Sequence, residues 1–288
     1  MSQIDPTLDI LELARREMAQ RRRAELEAAA ARQQPWLWAL VGLLATLLIG
    51  LLVLPLGTLA DRLRLVVHGV CAQQHYLYIG GVALPLCARN SGIYAGFLAT
   101  LLYLLALGRG RAAKAPPLSI TLTLLAAILV MGVDGFNSLL LDLGGYNLYA
   151  PDNRLRVITG LGMGVALGVL LPLLFNLSLR YDARREQRIL GSWIELAGAL
   201  LVAAVLFALL FWAPAWLYYP LALFSVAGIV SVLWLANTFV LGMLGGLEGR
   251  VLRLRQLARP ATLGLLLTVG ELALLAWLRM QLEHTLLH

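Results

Sequence analysis

Seven stretches of about twenty predominantly apolar residues, the length a helix needs to cross a hydrocarbon core, dominate this chain. They fall at about 36–58, 91–108, 118–141, 157–179, 189–212, 221–245 and 263–282. Hydrophobic residues make up 60% of the chain and charged ones 14%, against about half and a quarter in soluble domains. In lipid every backbone polar group must be satisfied internally, so runs of this length span as helices. The expected fold is an all-α polytopic transmembrane helical bundle of about seven spans, with the lipid bilayer as its surroundings. The expected organisation is a charged cytoplasmic helix at 1–35, a membrane domain at 36–180 and additional spans at 181–288.

A net charge of +7 could in principle signal nucleic acid. The placement of the charges excludes that partner, because the arginines flank apolar spans rather than forming one basic face. Seventeen of the 23 Lys and Arg lie at 1–35, 109–114, 180–188 and 250–259, whereas Arg62, Arg64, Arg89, Arg154, Arg156 and Arg279 fall on the other side. The positive-inside rule then puts the N-terminus in and the C-terminus out. Some 35 hydrophilic residues precede the first apolar window, so that window is expected to stay as an anchor rather than be cleaved as a signal peptide. Glu12 with Arg16 and Glu17 with Arg21 sit at i, i+4 spacing, which suits a solvated helix.

One stretch, His68 to Gly96, breaks the apolar monotony on the expected outer side. It holds both cysteines, His68 and His75, Gln73 and Gln74, and Arg89 with Asn90. Three readings of Cys71 and Cys87 are open. They can pair as a disulfide in an oxidising compartment, constraining the unfolded chain by about 3 kcal/mol. They can join His68 and His75 in a tetrahedral, zinc-like metal site. They can also stay as two buried thiols. The first and third require no cofactor.

Asp134 lies about seven residues inside the outer end of the third apolar stretch, where an ionisable group is costly unless paired or facing a polar cavity. Arg89 or Arg156 is the expected partner, and Asn137 sits almost one turn further out. Arg89, Asp134 and His75 are the catalytic candidates: the arginine holds an anion, the carboxyl acts as acid or base, and His68 or His75 shuttles protons. Gln73, Gln74, Asn90, Asn137 and Arg156 are the substrate-binding candidates. A purely structural salt bridge is the plainer reading of Arg89 and Asp134. A second polar set, Glu195, Asn237 and Glu271, suits either a solute or proton route or scattered interhelical hydrogen bonds. Gly160, Gly164 and Gly168 recur every four residues, as do Gly92 and Gly96, the spacing that lets helix backbones approach closely. No phosphate-binding loop, nucleophile elbow or zinc-protease helix occurs.

Several of these residues also carry a family resemblance. Cys71-Ala72-Gln73, Gly80-Gly81, the run Leu84-Pro85-Leu86-Cys87-Ala88-Arg89-Asn90-Ser91-Gly92-Ile93-Tyr94, Asp134-Gly135-x-Asn137 and Arg156-x-x-Thr159-Gly160 together resemble a prokaryotic family of predicted integral membrane proteins known only as a domain of unknown function. The resemblance covers roughly 60–175. Ala72 stands where many members have His, and Asn90 where many have a third Cys, so a metal role for those two positions is lost here. The resemblance implies architecture and the location of a site, but no reaction.

The expected function is therefore an outer-face polar site, in a bacterial plasma membrane, that binds or processes a small polar or lipid-borne substrate. A small-solute or proton-coupled transporter and a membrane scaffold or assembly subunit held by a structural disulfide are the alternatives. Neither enzymatic activity, a protein partner nor an oligomeric state follows from these residues.

Overall fold

A computed structural model describes residues 6–71 and 75–286. The helices run α1 (Pro6–Ala31), α2 (Gln34–Val53), α3 (Leu59–Val67), α4 (Ala88–Ala106), α5 (Leu118–Asp142), α6 (Asn153–Leu179), α7 (Trp193–Trp212), α8 (Tyr218–Leu244) and α9 (Ala258–Leu286). Four short strands, β1 (Tyr76–Ile79), β2 (Val82–Cys87), β3 (Ala112–Lys114) and β4 (Arg184–Arg188), lie in the connections. The protein is a multi-pass helical membrane bundle. Among the described residues, six helical segments are long and apolar enough to cross a membrane: those of α2, α5, α6, α7, α8 and α9. The apolar window at 91–108 corresponds to α4, whose first turn carries Arg89, Asn90 and Ser91 and is correspondingly more polar.

The centre of the bundle is the pair α4 and α6, with α5 packed on α6, and α7 and α8 on α4. Glycine makes this pairing close. At Gly164 a Cβ would overlap the Ile93 carbonyl oxygen and stand 2.8 Å from the Phe97 nitrogen. The two backbones are therefore in contact with no side chain between them, as small-xxx-small spacing permits. By contrast α2 has no buried residue, and its contacts run mainly to α9 and α3.

The arginine-rich connections converge at one end of the bundle. There β3 pairs in parallel with β4, Arg111 reaches Asp182 at 3.1 Å, and Arg109 pairs with Glu195. Arg253 meets Glu27 at 3.2 Å, and the Gln256 side-chain amide donates to the Leu26 carbonyl at 3.0 Å, docking α1 against this end. The strands here were not expected, because their charged residues carry no alternating apolar pattern.

At the opposite end the 60–90 connection folds into α3 and a hairpin of β1 and β2. Thr58 and Asp61 cap α3 reciprocally: Thr58 Oγ1 accepts the Asp61 N–H at 3.3 Å, and the Asp61 carboxylate accepts the Thr58 N–H at 2.9 Å. β1 and β2 pair antiparallel, with Tyr76 opposite Cys87. Gly80 and Gly81 have φ of 58° and 81°, the two positive angles that a tight two-residue hairpin turn demands.

Candidate functional site at the hairpin end

Four elements meet beside the hairpin. Cys87 ends β2 and caps α4, presenting Arg89 in the first turn. Asp134, Asn137 and Ser138 are buried near the end of α5. Asp152 caps α6 by accepting the Arg154 N–H at 3.2 Å, and residues 143–152 connect the two.

Arg89 and Asp134 form a buried ion pair, with Nη2 at 2.7 Å and Nε at 3.0 Å from Oδ2. The same Nη2 donates to the Asp134 carbonyl at 3.1 Å and to Ser138 Oγ at 2.7 Å. Thr159 Oγ1 donates to Oδ2 at 3.1 Å, and the Tyr149 hydroxyl to Oδ1 at 2.6 Å. Asp134 is 1% exposed, and this set of donors compensates its burial. Burial, followed by the bond to Asp134, pushes the Tyr149 phenol up to about 12, so it remains a donor at neutral pH. Asn137 holds the connection that carries Tyr149: its Oδ1 accepts the Leu148 N–H at 2.6 Å, and its Nδ2 donates to the Tyr149 carbonyl at 3.0 Å.

This geometry redistributes the expected roles. Asp134 accepts four side-chain bonds from three residues, about as many as the lone-pair sites of a carboxylate. It is a hub joining α4, α5, α6 and the 143–152 connection, and acting as acid or base would require one bond to be vacated. Arg89 spends its Nε and Nη2 on that hub and on Ser138. Asn90 sits half-buried in the next position of α4.

Arg156 differs from Arg89. It is 4% exposed, its Nη1 donates to the neutral Asn153 Oδ1 at 3.0 Å, and its Nε is buried with no hydrogen-bond partner. Repulsion from Arg89 acts on it alongside attraction from Asp134 and Asp142. Asn153 Nδ2 in turn donates to the Tyr76 carbonyl at 3.4 Å, tying this turn to the hairpin. At the rim His75 Nε2 lies 3.3 Å from Asp142 Oδ1.

The Sγ atoms of Cys71 and Cys87 lie 2.8 Å apart. The bond to Cys71, and then burial, push the Cys87 thiol well above the usual range. The His68 and His75 side chains do not join them. His68 Nε2 is 3.0 Å from Glu283 Oε2, while His75 turns to Asp142 on α5. The described residues hold no group of three or more His, Cys, Asp or Glu placed for a metal ion. Spacing along the chain brought these residue types near one another without fixing where they point. A cavity of about 40 Å³ lies among Arg64, His68, Cys71, Cys87 and Arg279.

Arg279 and Glu283 belong to this end and were not singled out from the sequence. Arg279 donates to Glu283 Oε1 at 2.7 Å, to the His68 carbonyl at 2.8 Å, and to the Cys71 carbonyl. The available signal was an Arg and a Glu four residues apart at the end of an apolar helix. Gln73 and Gln74 lie outside the described residues. Glu195 pairs with Arg109 at the arginine-rich end, whereas Asn237 Nδ2 donates to Glu271 Oε2 at 2.9 Å and to Thr268 Oγ1 at 3.1 Å between α8 and α9. That set does not converge on one site.

The hub, its tyrosine, Arg156 and both cysteines fall within one continuous stretch of chain. Residues 71–170 match the family model DUF2085, described as a predicted membrane protein. The DUF2085 segment covers roughly a third of the chain and contains Cys71, Cys87, Arg89, Asp134, Tyr149, Arg156 and Thr159. His68, Arg279 and Glu283, which hold the DUF2085 segment at its Cys71 edge, lie outside it. A search of curated proteins and a search of solved structures each return no match.

Proposed function

We propose that this protein, set in a bacterial plasma membrane with its N-terminus inside, binds a small polar or lipid-borne substrate through an anionic group at its hairpin end. Arg156 is the binding residue, and the Arg89–Asp134 hub is the frame that positions it. The observation that carries this reading is Arg156 itself: a guanidinium 4% exposed, bonded to a neutral amide and with a buried Nε that has no partner. Asp134 and Asp142 act on Arg156 through space without a salt bridge to it, and a carboxylate or phosphate supplies both a directly bonded charge and the missing acceptor. Thermal unfolding of the purified chain in neutral detergent, with added phosphate, glycerol phosphate or acetate, tests this. At a hundredfold excess over Kd a bound anion adds about 2.7 kcal/mol of stability. That gain is expected in the wild type and lost in Arg156→Gln. A wild type that responds to none of the three anions, or an Arg156→Gln variant that responds fully, overturns the assignment.

We further assign Cys71 and Cys87 to a disulfide that clasps the hairpin to the end of α3. Their contact on the face opposite the arginine-rich end supports the pairing, since outer compartments favour oxidation. Thiol titration of the denatured, unreduced protein is expected to find no free thiol, and Cys87→Ser to lower stability by about 3 kcal/mol. Two titratable thiols would refute it.

A further inference from the structure

At the arginine-rich end, away from the hub, a cleft lies between α2, α6, α8 and the start of α9. Its volume is about 400 Å³, within the range of small-ligand pockets. Leu37 and Leu40 of α2, Phe175 of α6, Trp234 of α8 and Leu257 before α9 line it, and Arg255 stands among the lining residues. Trp234 donates its indole N–H to the Ala261 carbonyl at 2.7 Å, so its polar edge is satisfied. Thr262 Oγ1 donates to the Trp36 carbonyl at 3.2 Å, which fastens α2 to α9 beside the cleft. Since α2 has no buried residue, the neighbouring surface is available to lipid.

We infer that this cleft holds one acyl chain of an anionic phospholipid, whose phosphate rests on Arg255. The lining is too apolar to hold a polar solute, and an unfilled gap of this size would forfeit packing along both walls. Charge selects the headgroup. Arg253 is engaged with Glu27 and Arg259 lies over the Trp36 ring, whereas exposed Arg255 makes no ion pair among the described residues. Basic pockets between membrane helices on the arginine-rich side recognise anionic headgroups. The bound chain would also brace α2 against α8 and α9.

Native mass spectrometry of the full chain, released from neutral detergent with equimolar phosphatidylglycerol and phosphatidylcholine, tests this. One arginine at the surface is worth about 1 kcal/mol toward an anionic lipid, so the wild type is expected to retain phosphatidylglycerol about fivefold better. Arg255→Gln is expected to bring the two lipids to parity. Leu40→Trp, which fills the cleft from the exposed helix, is expected to lose both. Equal retention of the two lipids by the wild type overturns the inference, and so does an unchanged preference in Arg255→Gln. Full retention by Leu40→Trp also overturns it, since it would put the headgroup on the surface with no chain in the cleft. The anion response assigned to Arg156 is read in separate experiments, so either site can fail without the other.

Discussion

Asp134→Ala is expected to destabilise the protein by about 3–5 kcal/mol, the cost of leaving one partner of a buried ion pair uncompensated. The loss should exceed that of an ordinary core truncation because Arg89 loses its counter-ion and the Tyr149 hydroxyl its acceptor together, whereas Thr159 keeps the Leu155 carbonyl at 3.0 Å. The double variant Arg89→Met with Asp134→Leu separates charge from packing. Replacing both ions with apolar side chains of similar volume is often neutral or stabilising, so the double variant should recover the part of the loss due to the stranded Arg89 charge, while the Tyr149 hydroxyl, still without its acceptor, keeps the rest. Unfolding midpoints of the two variants in the same detergent provide the comparison. An Asp134→Ala variant as stable as the wild type would remove the hub from its central position.

Gly164→Val is expected to cost at least as much as the upper end of ordinary overpacking, about 3 kcal/mol. The obstruction at Gly164 is backbone: the Ile93 carbonyl and the Phe97 nitrogen at 2.8 Å, neither of which can rotate away. The helices would have to separate, and with them the α4 turn that presents Arg89. Gly160 repeats the arrangement one turn earlier, where a Cβ would overlap the Arg89 carbonyl oxygen itself. Gly162 is the control, since a Cβ there meets only the Ala127 Cβ at 3.4 Å. Gly162→Ala should be neutral or slightly stabilising through helix propensity. Equal effects at 162 and 164 would mean that α4 and α6 do not pack as described.

The long apolar helices were legible because hydropathy is a local property: six of the seven expected spans correspond to helices that are, among the described residues, long and apolar enough to cross a membrane, while the window at 91–108 corresponds to α4, which is not among those six. The meeting of Arg89 with Asp134 was legible for a related reason: an ion at that depth needs a counter-ion, and few are available. The 60–90 connection was not. Its hairpin depends on Gly80 and Gly81 taking positive φ, and the apolar strands around that turn read equally well as membrane-seeking surface. The direction of His68 was also hidden, because its partner Glu283 lies 215 residues away and no periodicity links them. Tyr149 escaped notice because an aromatic residue in a connection is usually unremarkable. Only its reach to Asp134, held in place by Asn137, makes it part of the site.

The grip of Arg279 on the His68 carbonyl joins positions 211 residues apart, and this has a bearing on the order of synthesis. When the segment carrying Cys71 leaves the ribosome, the guanidinium that will hold its backbone has not yet been made. The first rim of the centre is thus secured by α9, and its finished geometry waits until that helix has been made.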